Sequence, residues 1–148
     1  MRIALCRPEI PQNTGNVIRL AANIGAPLDL IHPLGFVLDD SRLRRAGLDY
    51  HELVDVCEWS DIDHWRAAMA DRRVWALTRY GDVCYDSIDY RHDDILLFGA
   101  ETRGLPADVA ADCTARVYIP MQPGNRSLNL GNSVSVVAFE AWRQLSFC

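Results

Sequence analysis

The sequence predicts an α/β domain, a mainly parallel sheet with helices on both faces, and three observations predict it. Short apolar runs of strand type alternate along the chain with segments whose apolar residues recur at helical spacing. One run, Ile95-Leu96-Leu97-Phe98, is apolar throughout, the pattern of a strand buried on both faces. Polar loops follow three of the runs, at 78–82, 99–104 and 121–129, where the ligands of such sheets sit. A chain of 148 residues suits one domain, 1–148, with a real core.

Taken in order, Ile3 to Cys6 reads as a strand that ends at Arg7-Pro8, because the residue before proline resists helix. Asn13 is placed to cap a helix running to about Asn23 and stopped by Gly25. Val17, Leu20, Ala21 and Ile24 form its apolar stripe, and Asn16, Arg19 and Asn23 share another face. Leu28 to Ile31 is a second strand, Ser41 to Ala46 a short helix, and Leu53 to Cys57 a third strand. Asp61 caps a helix through Trp65 and Met69, followed by a strand over Val74 to Thr78. After Ile95 to Phe98, a short helix begins near Pro106, a residue tolerated in a first turn. Val117 to Ile119 is the sixth strand. The closing helix carries Leu130, Val134, Val137, Ala138, Ala141, Trp142 and Leu145 at helical spacing.

Composition narrows the chemistry. Five scattered cysteines without a C-x-x-C pair argue against a disulfide framework or a zinc site, and four histidines without ligand spacing lead us to expect no metal. The opening residues are too short a run, too soon interrupted by Arg7 and Pro8, for a secretory signal, and no apolar run could span a bilayer. A cytoplasmic protein is expected. All 15 basic residues are arginine, the side chain suited to bidentate phosphate contacts, although a net charge of −5 confines any nucleic-acid contact to a local patch. Arg42, Arg44 and Arg45 form the densest such cluster, flanked by Asp39, Asp40 and Asp49, so RNA contact and surface ion pairing both remain open.

The loop from Met121 to Asn129 presents backbone groups and short polar side chains (Ser127, Asn129, Asn132, Ser133) at a helix start, equipment for a polar small molecule. Asn129 or Ser127 could equally serve as a helix cap. The usual nucleotide motifs fail. Gly15 stands alone after the first strand, which removes the dinucleotide fingerprint, and Gly99 to Gly104 is followed by Leu105-Pro106 where a phosphate loop needs Lys and Ser/Thr.

Three ordered segments nevertheless carry a resemblance: Glu9-Ile10-Pro11-Gln12-Asn13-Thr14-Gly15-Asn16-Val17-Ile18-Arg19, Phe98 to Leu105, and Ile119 to Leu130. They resemble the three motifs of SPOUT-class RNA 2′-O-ribose methyltransferases, most closely the minimal single-domain members that modify the wobble nucleotide of tRNA-Leu. Arg42 to His51 and Glu140-Ala141-Trp142-Arg143 are similar to the same group. The resemblance implies a C-terminal trefoil knot (the SPOUT fold), S-adenosyl-L-methionine as methyl donor, and an obligate homodimer whose partner chain completes each site. It implies 2′-O-methylation of cytidine or modified uridine at position 34 in the tRNA anticodon loop. Another tRNA or rRNA position, or a non-catalytic RNA-binding dimer, are the alternative readings.

The same resemblance supplies roles. Arg19 and Asn13 of the first motif, Glu101 of the second, and Ser127 and Asn129 of the third fall at the catalytic positions. Leu77, Gly99, Ile119, Ser127 and Leu128 fall where the cofactor is held. Arg42, Arg44, Arg45, Tyr50 and His51 are the candidates for the RNA-facing surface. Guanidinium keeps its proton in proteins, so the physically sound role for Arg19 is to hold a phosphate and stabilise a developing alkoxide. For Glu101 an ion pair with Arg103 or Arg126 is a competing structural role.

Overall fold

The computed structural model describes residues 1–37, 55–125 and 127–148. Among the described residues seven strands form one all-parallel sheet in the order β3-β2-β1-β6-β4-β7-β5. They are β1 Arg2–Cys6, β2 Leu28–Ile31, β3 Val56–Trp59, β4 Val74–Leu77, β5 Val83–Cys84, β6 Ile95–Phe98 and β7 Ala115–Tyr118. Among the described residues the α-helices are α1 Pro11–Ile24, α2 Ile62–Ala68, α3 Ala107–Ala111 and α4 Leu130–Gln144.

The two-residue alternation of strands divides the core in two. Ile3 and Leu5 of β1, with Leu96 and Phe98 of β6, face α1 and α4, where Val17, Ile18, Ala21, Val134, Val137, Ala138 and Ala141 cover them. Ala4, Cys6, Ile95 and Leu97 face the other way, onto Ile62 and Trp65 of α2 and Val109 of α3. The central β6 is buried along its whole length, as its unbroken apolar run requires. At the edge of the second layer, Asp29 is buried between the Arg2 guanidinium at 2.6 Å and the Trp65 indole N–H at 2.9 Å, so its charge is paired.

Helix ends explain most boundaries. Pro11 occupies the first turn of α1, so that helix starts two residues before the expected cap. Asn13 therefore does not cap α1; its N-cap is Ile10, without a side-chain hydrogen bond. Gly25 closes the helix at φ 65°, its N–H turned back to the last carbonyls. Asp61 caps α2 as expected, accepting from the backbone N–H of Asp63 and His64. Asn129 caps α4. The third strand continues through Trp59 instead of ending at Cys57, and the sixth expected strand lies at Ala115–Tyr118, short of Ile119. The two-residue β5 has no counterpart in the sequence reading. The short helix expected over Ser41 to Ala46 lies outside the described residues.

Strand order sets the position of the polar loops. β6 lies between β1 and β4, and β7 lies between β4 and β5, so each later strand enters between two laid down earlier. The carboxyl ends of β4, β6 and β7 consequently stand side by side, and the loops that leave them converge.

Candidate functional site

A cleft of about 450 Å³ opens at these three strand ends, within the size range of small-molecule sites. Its apolar wall includes Leu77 after β4, Phe98 at the end of β6, Val117 in β7 and Ile119 just beyond it. Leu128 also lines it while remaining 41% exposed, an apolar surface that a bound ligand would cover. Ser127, Thr102 and Asn129 supply polar groups on the same cavity.

The loop after β6 is folded tightly on itself. The Gly104 N–H donates to the Ala100 carbonyl at 2.8 Å. A Cβ on Gly99 would lie 2.1 Å from the Gly104 carbonyl carbon, so only glycine admits this backbone contact. Gly104 has φ +68°, a left-handed conformation that glycine adopts without strain.

That loop delivers Glu101 to the start of α1. Its carboxylate accepts from the Glu9 N–H at 2.7 Å, the Ile10 N–H at 3.2 Å and Asn13 Nδ2 at 3.0 Å. A negative group here also meets the positive end of the helix. Glu101 thus pairs with backbone and amide donors, not with Arg103; Arg126 lies outside the described residues. The contact is reciprocated, since Glu9 Oε2 accepts from the Thr102 N–H at 3.0 Å and both carboxylate oxygens receive the Thr102 hydroxyl. These hydrogen bonds, the hydroxyl's first, hold the Glu9 carboxyl below its ordinary range.

Asn13 links the first motif to the third. While its Nδ2 donates to Glu101, its Oδ1 accepts from Asn129 Nδ2 at 2.9 Å. Asn129 Oδ1 in turn accepts from the Asn132 N–H at 3.3 Å, capping α4. Glu101, Asn13 and Asn129 therefore form one chain of hydrogen bonds along the cleft wall. The amide orientations follow from it, because a flip of either asparagine would set donor against donor.

Of the expected residues, Asn13, Glu101, Ser127, Asn129, Leu77, Gly99, Ile119 and Leu128 all line this one cleft. Arg19 does not. It lies on the exposed part of α1, about 9 Å along the axis and roughly 120° around from Asn13. Arg42, Arg44, Arg45, Tyr50 and His51 lie outside the described residues. Two exposed residues that sequence reasoning missed, Arg79 and Tyr80, also line the cleft from the loop after β4. The available signal was an aromatic beside an arginine in a strand-end loop.

Known proteins are similar to this chain over nearly its full length. A 50% identical relative in Escherichia coli K12, aligned over 99% of this chain and 95% of its own, is named tRNA (cytidine(34)-2′-O)-methyltransferase. A solved structure described as giving insights into the 2-OH methylation of C/U34 on tRNA superposes with TM-score 0.93. It shares 45% identity over 98% of this chain and 95% of its own. A SpoU methyltransferase from Streptomyces viridochromogenes, AviRb in complex with AdoMet, superposes with TM-score 0.82 at 26% identity. That alignment covers 99% of this chain and 58% of the larger protein. The model of the SpoU rRNA methylase family matches residues 1–139, and the chain belongs to that family.

Proposed function

We propose that this methyltransferase moves the methyl group of S-adenosyl-L-methionine to the ribose 2′-hydroxyl of nucleotide 34 of tRNA. The observation that carries the reading is the cleft: three loops brought together by strand order, with Glu101, Asn13 and Asn129 joined along its wall. Near 50% identity to a tRNA (cytidine(34)-2′-O)-methyltransferase over almost the full chain supports the position and the base. Uridine 34 as a second substrate, and tRNA-Leu as the acceptor, are the finer parts of the proposal.

The residues present fit the donor. Leu77, Ile119 and Leu128 offer apolar faces for an adenosine, and Gly99 permits the close backbone packing that shapes the floor. When bound, S-adenosyl-L-methionine supplies a methyl group already activated by its sulfonium. The protein's task is then to align the hydroxyl and manage one proton. Glu101 fixes the start of α1 against the loop after β6, and Asn129 fixes the start of α4 against α1. Ser127 presents a hydroxyl to the cleft. None of these groups needs to change charge during transfer.

Arg19 takes the role of phosphate anchor and alkoxide stabiliser, with the proton leaving to phosphate or water. Its distance from the cleft of its own chain is explained by the homodimer that we infer, in which Arg19 of the partner subunit serves this cleft. Exposed Phe139 and Phe147, edge-on to Trp142 with ring centroids 5.6 and 5.1 Å away, supply an apolar surface for that association. Insertion of β6 and β7 between earlier strands supports the C-terminal trefoil knot. A cytoplasmic location follows from the substrate.

The test is incorporation of labelled methyl from [methyl-³H]AdoMet into total tRNA, with mapping of the modified nucleotide. Label at the 2′-oxygen of position 34 is expected, and label elsewhere in tRNA or rRNA would replace the reading. Cofactor binding without any transfer would favour the non-catalytic dimer. Arg19→Lys should lose most of the rate, because an ammonium cannot reproduce the guanidinium fork.

A further inference from the structure

We propose that Arg79 and Tyr80 form a fixed shelf at the mouth of the cleft on which an unpaired base of the substrate RNA stacks. The inference rests on the tRNA reading above and adds the recognition element that it lacks.

The shelf is built, not a loose loop tip. The Thr78 N–H donates to the Val117 carbonyl and the Asp82 N–H to the Arg116 carbonyl, both at 2.9 Å, so the loop is strapped to β7 on either side of Tyr80. Asp82 is also paired with the Arg116 guanidinium at 2.7 Å. Between these straps, Gly81 lies so close to β7 that a Cβ would sit 2.5 Å from the Val117 carbonyl carbon. The Tyr80 N–H donates to the Thr78 hydroxyl at 3.3 Å. Finally, the Arg79 guanidinium stacks 4.5 Å from the centre of the Tyr80 ring, which holds the ring in place.

The chemistry of the shelf suits a nucleotide. Tyr80 remains 66% exposed although it lines the cleft, so its ring serves no core. Arg2, Arg66, Arg73, Arg116 and Arg143 each contact a carboxylate. Arg7, Arg72, Arg79, Arg91 and Arg103 are exposed and in no ion pair among the described residues, and of these five Arg79 and Arg103 line the cleft. In a chain of net charge −5, two exposed arginines on one cleft, Arg103 within electrostatic reach of Glu9, give an anionic ligand a point of entry. Aromatic and arginine planes side by side are what receives a splayed base of single-stranded RNA and its phosphate. The adenine of the cofactor has apolar walls deeper in the cleft, at Leu77, Phe98 and Ile119. An exposed ring at the rim is better matched to the larger substrate.

Tyr80→Ala should raise the KM for tRNA between about 5-fold and about 150-fold, the range given by loss of one base–aromatic stack. The kcat at saturating tRNA and the Kd for S-adenosyl-L-methionine should hold, and Tyr80→Phe should restore KM. Arg79→Ala should lower the slope of log Kd for tRNA against log salt by about one. In the unsubstituted enzyme, tRNA carrying 2-aminopurine in the anticodon loop should lose fluorescence on binding as the base stacks. An unchanged KM in Tyr80→Ala, weakened cofactor binding in its place, failure of Tyr80→Phe to rescue, or unchanged fluorescence at every loop position would each overturn the shelf. If the unsubstituted enzyme binds no tRNA at all, the functional reading itself falls and the shelf with it.

Discussion

Asn129 donates through Nδ2 to Asn13 Oδ1 at 2.9 Å, joining two residues 116 positions apart in the chain. The same Asn129 caps α4 through its Oδ1, so a single side chain sets both the start of the last helix and its distance from the first. The two roles separate by substitution. Asn129→Asp keeps an acceptor for the cap but faces a carboxylate toward Asn13 Oδ1, whereas Asn129→Ala loses both. The alanine variant should lose about 1 kcal/mol of stability from the cap alone. The aspartate variant should keep the cap but lose about 0.5 kcal/mol or more in urea unfolding through the lost contact with Asn13, and its methyl-transfer rate should fall. A double-mutant cycle with Asn13→Ala should show coupling of about 0.5 kcal/mol or more. Strict additivity would mean that the contact has no energetic weight.

Glu101 offers a sharper case, because its two oxygens accept from three donors. In Glu101→Gln one oxygen survives, and the new amide must either face the Glu9 N–H or turn toward Ile10 and Asn13. Each choice sets donor against donor. Loss of a charge-assisted contact in this half-buried place should cost about 1–2 kcal/mol. The loop after β6 should then exchange its amide hydrogens faster, measured by hydrogen–deuterium exchange at residues 99–105. Equal protection in both proteins would show that the α1 start and this loop are held by other contacts.

Local signals carried much of the fold and little of this wiring. The apolar run at 95–98, the stripe on α1, Gly25 and the cap at Asp61 all follow from nearest neighbours and read directly, while the cap of α4 read as Asn129 or Ser127 and is Asn129. The misplaced cap at Asn13 has a physical reason. Asparagine at a helix start is a common cap, but Pro11 had already begun the helix, which freed the Asn13 side chain for Glu101. The Glu101 partners lie 88 to 92 residues away and two of them are backbone N–H groups, which no side-chain pattern reveals. Tyr80 was passed over for a related reason. Its significance comes from the straps between its loop and β7, a strand that arrives more than thirty residues later in the chain.

Gly99 and Gly104 should respond differently to the same substitution. At Gly99 an added methyl meets backbone carbon 2.1 Å away and nothing there can swing aside, so the loop must open. Gly99→Ala should abolish cofactor binding, read by calorimetric titration with S-adenosyl-L-methionine. At Gly104 an added methyl has open space, and the cost is only the left-handed backbone, about 1–2 kcal/mol. Gly104→Ala should therefore bind the cofactor with modest loss. Comparable binding by both variants would contradict the close contact at Gly99.

The start of α2 contributes one traceable part of the pH dependence of stability. Asp61 accepts the His64 N–H and touches the His64 ring, which together with the Ser60 hydroxyl lower its carboxyl from 3.8 to about 2. A folded value below the unfolded one means that the unfolded chain takes up the proton first as pH falls. The stabilisation from this charge is thus complete above about pH 4 and is lost as pH drops toward 2. Asp61→Asn keeps an acceptor for the cap but removes the charge. Urea midpoints of the two proteins should differ fully at pH 5 and above and converge as pH is lowered to 3 and below. A gap that stays constant over that range would mean the carboxylate acts only as a neutral acceptor would, and that its ionisation is not linked to folding.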